Sequence, residues 1–185
     1  MKLWRSEGDG LAFENRLAFR GENVIIEDGV RIFHPENVHI GHNVYIGHDT
    51  ILKGYYAGWL RIDDHVWIGQ QCFLHAGGGL TIGRNVGIGP QVKMHAARHA
   101  PPEDGRPLLF SPIELRPIII EDDVNIGLGA TIMGGVTVAF GTRVGAGAVV
   151  TKSFPPHSVL VGVPAAPRPA GTAAFPTPGG PFNSK

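Results

Sequence analysis

Ile82-Gly83-Arg84-Asn85-Val86-Gly87-Ile88-Gly89-Pro90-Gln91-Val92-Lys93-Met94 repeats an aliphatic residue every six positions. Glycine follows Ile82 and Ile88, and valine holds the fifth position of both hexapeptides. This is neither the helical period nor strict strand alternation. Short repeats of this kind mark a parallel β-helix, in which each hexapeptide supplies one short strand and one corner. The leading aliphatic residue points into a prism. The glycine behind it tolerates a corner conformation that other residues resist. The small fifth residue fits where the interior tapers. Three hexapeptides close one coil, and coils stack through strand-to-strand hydrogen bonds.

The beat extends both ways. Before it stand Ile26 and Ile32, then Ile40, Ile46 and Leu52, then Ile62, Ile68 and Leu74. After it stand Ile120, Ile126 and Ile132, then Val138, Val144 and Val150. Extra residues precede Ile40, Ile62, Ile82 and Ile120, each time after a third hexapeptide. Every excursion therefore leaves from the same corner and re-enters through Val38, Leu60, Leu80 and Ile118. The longest, residues 96–117, follows Met94. The pattern predicts an all-β chain, a parallel β-helix of five to six triangular coils over residues 24–163 with one long excursion loop. Residues 1–23 are expected to cap its open end, with room for a short helix. Residues 164–185, rich in Pro, Ala, Gly and Thr, form a tail that cannot build a core.

Composition narrows the function. Sixteen basic residues balance sixteen acidic ones and only 17% of residues are charged, so no basic footprint invites nucleic acid or an anionic membrane. Cys72 is the only cysteine, which excludes an intramolecular disulfide framework and a paired-cysteine zinc site. No apolar run approaches the ~20 residues of a membrane span. The start, Met1-Lys2-Leu3-Trp4-Arg5-Ser6-Glu7, lacks the apolar core of a signal peptide. A cytoplasmic protein is the expectation.

Chemistry is expected where the beat stops, because loops carry chemistry that rigid elements position. His95 and His99 lie at that break. His75 and His95 are both second residues of third hexapeptides in adjacent coils, so they should stack about 4.8 Å apart beside the excursion corner. They could line a pocket, contribute to a metal site or simply be exposed corner residues. The loop also carries Glu103, Asp104, Arg106, Glu114 and Arg116, any acid of which could orient an imidazole.

The repeat, with its ending Val144-Gly145-Ala146-Gly147-Ala148-Val149-Val150-Thr151-Lys152 and the later Gly162-Val163-Pro164, resembles the hexapeptide-repeat acyltransferases. Within them it is most similar to the enzymes that O-acetylate sugars, the galactoside and maltose acetyltransferases, and to the polysaccharide acetyltransferases. The resemblance covers about residues 24–166. It implies a left-handed β-helix, a homotrimer, and active sites between neighbouring subunits, with acetyl-CoA along the groove as co-substrate. In those enzymes the catalytic histidine follows the valine of an Ile-Gly-Pro-x-Val element by seven positions. Here that element is Ile88-Gly89-Pro90-Gln91-Val92, and the position reached is His99, with His95 the second choice. Cofactor contacts carry over to Gly127, Leu128, Ala146, Thr151 and Lys152. His75, His95 and Trp59 are candidates for the acceptor, since aromatic faces suit sugar rings; Tyr55 and Tyr56 leave from the same corner. The family's aromatic residue at position 125 and polar residue at 128 are replaced by Asn125 and Leu128, and its usual basic residue after Gly-x-Pro is displaced to Arg168. An asparagine that the sugar acetyltransferases carry near Gly69 is absent.

The resulting expectation is an acetyl-CoA-dependent acetyltransferase that needs no metal. It would act on a hydroxyl, or an amine, of a carbohydrate-like acceptor, with histidine as general base and no covalent enzyme intermediate. Two alternatives use the same prism. One is a zinc protein like the γ-type carbonic anhydrases, suggested by His65, His75, His95 and His99. The other is a non-catalytic scaffold.

Overall fold

The computed structural model describes residue 10 and residues 16–102 and 105–168. Its strands form three parallel walls. The first runs Phe19–Arg20, Val38–Ile40, Leu60–Ile62, Leu80–Ile82, Ile118–Ile120 and Thr137–Val138. The second stacks Val24–Ile26, Val44–Ile46, Trp67–Ile68, Gly87–Ile88, Asn125–Ile126, Arg143–Val144 and Val159–Val161. The third stacks Arg31–Phe33, Ile51–Lys53, Phe73–His75, Lys93–His95, Thr131–Met133 and Val149–Val150.

Register follows the hexapeptide phase. Ile62 pairs with Ile82 and Ile82 with Ile120; Ile68 pairs with Ile88 and Ile88 with Ile126. Leu74, Met94 and Ile132 make the third column. Ile40, Ile62, Ile82, Ile46, Ile68, Ile88, Leu52, Leu74, Met94 and Ile132 are completely buried. Each such side chain stabilises the prism by about 1.5–3 kcal/mol relative to exposure. At the fifth position, Thr50 keeps a hydroxyl in the core by donating to the Gly69 carbonyl (3.0 Å) and accepting from the Cys72 amide (3.2 Å). The buried Cys72 thiol lies against the Gly89 carbonyl (3.3 Å), and burial pushes its pKa up, so it stays protonated and inert.

The prism has about seven turns rather than five to six. Phe19–Arg20 already pairs with His39–Ile40 below the first hexapeptides. Above the last, Phe154 bridges to Val138 and Val159–Val161 pairs with Arg143–Val144. These end turns lack the Ile-Gly signature, so the beat does not reveal them. Ala166–Pro167, within the stretch read as tail, folds back antiparallel on Leu160–Val161. The rest of the expected cap and tail, residues 1–9, 11–15 and 169–185, lies outside the described residues.

The corner glycines serve a different purpose from the one expected. Gly69, Gly89 and Gly127 do not have positive φ; the left-handed residues lie three positions after the leading aliphatic. These are Asn43, His65, Asn85 and Asp123 at one corner and Asp49, Gln71 and Gln91 at the next, with φ between 55° and 61°. Side-chain ladders support these costly conformations, as in Asn43 to His65 (2.9 Å) and Gln91 to Gln71 (3.1 Å). The glycines are required by the next coil. A Cβ on Gly69 would come within 2.5 Å of the Pro90 nitrogen, and one on Gly89 within 2.6 Å of the Leu128 nitrogen.

All large insertions leave between the third and first walls, as the phase predicts. The long one is structured. Ala97–His99 and Ile113–Leu115 form an antiparallel hairpin arm, with a 3-10 turn at Leu108–Phe110.

Candidate active site at the excursion corner

The last residue of each third-wall strand faces the excursion corner, so stacking converts sequence spacing into a column: Lys53, His75, His95, Met133. The rings of His75 and His95 are stacked with centroids 4.5 Å apart and planes 19° apart. His75 is 7% exposed and its Nδ1 accepts from the Gly77 amide at 3.2 Å. In the neutral ring the proton therefore sits on Nε2. His95 is exposed, and its Nδ1 faces the Ala97 carbonyl at 2.6 Å. A carbonyl can only accept, so Nδ1 donates and the Nε2 lone pair is left bare. His99 is half-buried on the outgoing strand of the arm, its Nδ1 3.3 Å from the carbonyl of Ser111. The same reasoning leaves its Nε2 bare. Ser111 is 5% exposed, which shields that carbonyl from competing water.

Backbone carbonyls, then, orient both imidazoles. Of the acids considered for that role, Glu114 is engaged with Arg98 at 2.6 Å, and Glu103 and Asp104 lie outside the described residues. Nothing in the side-chain pattern announces a backbone partner. Of the excursion's aromatics, Tyr55 packs on His75, at 5.4 Å, with Tyr56 4.4 Å from Tyr55, while Phe73 of the same strand stacks on His75 at 6.1 Å. Trp59 is 58% exposed at the foot of the first wall, where its carbonyl accepts from the Leu80 amide.

The arm can leave and re-enter because the corner is stripped of side chains. A Cβ on Gly78 would lie 2.4 Å from the Arg116 nitrogen and 2.7 Å from the Ala96 oxygen. The run Gly77-Gly78-Gly79 is thus the seat of the arm, a reading that the sequence alone did not offer.

The carried-over cofactor residues divide between the two edges of the third wall. Gly127, Leu128 and Ala146 lie at the corner where that wall begins. Leu128 is 54% exposed, and its carbonyl accepts from the Gly147 amide at 2.8 Å. A Cβ placed on Gly129 or Gly147 would meet nothing within 4 Å, so a side-chain-free strip runs beside Ala146. Thr151 and Lys152 follow the wall's last strand at the histidine corner, with the Lys152 ammonium 5.5 Å from the Phe154 ring centroid.

His65 is apart from the other histidines, bonded to Asn43 at the first corner. Among the described residues no group of three or more His, Cys, Asp or Glu side chains is arranged to hold a metal ion. No helix among them is long and apolar enough to cross a membrane.

These features define a class, the hexapeptide-repeat β-helix proteins, and the relatives agree. The chain is 32% identical to the galactoside O-acetyltransferase of Escherichia coli (strain K12) over 148 residues, 78% of this chain and 59% of that protein. A hexapeptide-repeat-containing acetyltransferase of Vibrio cholerae O1 biovar eltor, solved with acetyl coenzyme A, is similar at TM-score 0.61 and 26% identity over 83% of this chain and 70% of the other. A mutant of AntD, an N-acyltransferase from Bacillus cereus in complex with dTDP-4-amino-4,6-dideoxyglucose and coenzyme A, shares the fold at TM-score 0.74 over 84% of each chain, with 24% identity. No family model matches. In repeat, fold and relatives the chain is similar to the hexapeptide-repeat acyltransferases. It spans about half the length of the curated relatives it matches.

Proposed function

We propose that the protein is an acetyl-CoA-dependent acetyltransferase that transfers the acetyl group directly to a hydroxyl, or an amine, of a carbohydrate-like acceptor. His99 is the general base and His95 the second candidate. The observation that carries this reading is the placement of His99. It lies seven positions after Val92, on the arm strand, with its Nδ1 directed at the Ser111 carbonyl. That bond fixes the tautomer a base needs, and an imidazole suits the work because its ordinary pKa lies near neutrality.

His99 Nε2 takes the acceptor proton as the acceptor oxygen attacks the thioester carbonyl carbon. The C–S bond then breaks, and the imidazolium returns its proton to the departing thiolate. An acetyl ester and a free thiol result, and His99 ends neutral. The side-chain-free strip beside Ala146 fits the narrow pantetheine arm, and Lys152 offers a cation for a phosphate. These two features lie at opposite edges of the third wall, which suits a cofactor lying in a groove between two prisms of a cytoplasmic homotrimer. Gly127, Leu128, Ala146, Thr151 and Lys152 would line that groove, and His75, His95 and Trp59 the acceptor side.

The test measures free thiol released from acetyl-CoA over a panel of neutral, amino and acidic sugars. His99→Ala is expected to lower kcat by about 10²- to 10⁴-fold while leaving the affinity for CoA unchanged. Full turnover in His99→Ala together with loss in His95→Ala would transfer the role to His95. A wild-type protein that neither binds CoA nor releases thiol with any acceptor would refute the reading.

A further inference from the structure

Arg116 directly follows the return strand of the arm, Ile113–Leu115, two residues after Glu114. Its amide donates to the Ala96 carbonyl at 2.9 Å, next to His95 in the chain. From there the half-buried side chain runs onto the turn of the following coil. Its Cβ lies 3.1 Å from the position a Cβ on Gly134 would occupy, and the His95 carbonyl oxygen lies 3.1 Å from that same point. Its Nε and Nη2 lie 3.0 and 3.1 Å from the corresponding position on Gly135. Gly135 therefore leaves room for this guanidinium and Gly134 for the root of the side chain, since a side chain on either would press on Arg116. Gly135, at φ +87°, also needs its glycine for the turn itself.

The guanidinium forms no hydrogen bond or ion pair among the described residues. The acid two positions before it, Glu114, is taken by Arg98. A half-buried cation seated in a shaped cradle at the histidine corner, with its N–H donors unfilled, is matched by a planar oxyanion, which guanidinium binds in a two-pronged fashion.

We propose that Arg116 is the anion-recognition residue of the acceptor subsite, so that the acceptor is a sugar bearing a carboxylate or phosphate. The inference rests on the acyltransferase reading of this corner. It assigns the anion to the acceptor because the Arg116 amide is held by the carbonyl of Ala96, the residue after His95, which places Arg116 at the histidine corner. A neutral galactoside would leave Arg116 with nothing to pair.

Titration calorimetry tests this with D-galacturonate, D-galactose 6-phosphate and D-galactose on wild type, Arg116→Gln and Arg116→Lys. CoA and 3′-dephospho-CoA are titrated in parallel. Wild type is expected to bind at least one anionic sugar about 10- to 100-fold tighter than galactose, the range for a hydrogen-bonded charge. Arg116→Gln abolishes that preference, Arg116→Lys restores part of it, and CoA affinity is the same in all three. The proposal is overturned by a wild type with no anionic preference, including one that binds none of the sugars, or by a preference that survives in Arg116→Gln. It is also overturned if Arg116→Gln weakens CoA but not 3′-dephospho-CoA, which would give the guanidinium to the nucleotide phosphate. Failure of the acyltransferase reading would appear separately, as a wild type that does not bind CoA.

Discussion

Two corners of one prism are built from the same hexapeptide and behave in opposite ways. Between the second and third walls the chain turns with no insertion, and successive glycines leave no room for a side chain below the coil above: a Cβ would lie 2.8 Å from the Gln70 nitrogen at Gly47, 2.5 Å from that of Pro90 at Gly69 and 2.6 Å from that of Ala146 at Gly127. Between the third and first walls the chain is released at almost every turn. There it carries Tyr55, His75, His95 and the arm. Close packing helps hold the layer spacing at the uninterrupted corner, and that regular spacing brings the rings of His75 and His95 to 4.5 Å at the other.

The largest expected effect separates the corners by function. His99→Ala removes about 10²- to 10⁴-fold of turnover with the thermal midpoint unchanged, checked by thiol release and calorimetry on the same samples. Next come two glycines that look alike in sequence. Gly89→Val drives a side chain against the Leu128 backbone at 2.6 Å and should cost about 2–4 kcal/mol in urea unfolding. Gly79→Ala meets nothing within 4 Å and bears only the strain of φ +97°, about 1–2 kcal/mol. Equal losses would break the comparison.

His75→Leu leaves the Gly77 amide without its acceptor, an expected loss of about 1–2 kcal/mol, and frees the His95 ring, which ring line widths in NMR would detect. A smaller effect concerns the first wall. Burial, then the nearby Arg61 charge, pushes the pKa of His39 below its ordinary value. The unfolded ring takes up a proton that the folded one refuses, so stability is complete above about pH 6.5 and falls as pH drops toward the folded pKa. His39→Gln should flatten that slope in the thermal midpoint. Smallest of all is Arg98→Ala. The exposed pair with Glu114 should contribute under about 0.5 kcal/mol.

Periodic features were legible in the sequence because each is repeated. The three walls, the excursion corner and the His75–His95 stack all follow from counting in sixes. What escaped has no side-chain signature. Ser111 and Ala97 orient the imidazoles through carbonyls that every residue possesses. The glycine pattern alone points to a conformational role for the corner glycines, and only the neighbouring coil reveals that they are spacers. The arm's strands are too short, at three residues each, for alternation to stand out. Tyr55 and Trp59 were equivalent as aromatics, and the turn closed by the Tyr55–Gly58 bridge decides which ring meets His75. The seat of Arg116 depends on Gly134 and Gly135, which are distant in the chain and one coil away in space.

Leu80 and Ile118 are immediate neighbours across the first wall, although the whole arm separates them in the chain. The wall is therefore blind to how much chain passes between one layer and the next, and lengthening such a loop costs little, since closure entropy grows only logarithmically. The excursion corner acts as a socket. An arm of different length or chemistry could be exchanged at Ala96 and Pro117 without re-registering a single layer. On the proposed function, such a scaffold changes its acceptor by replacing one cassette while the proposed cofactor groove stays as it is.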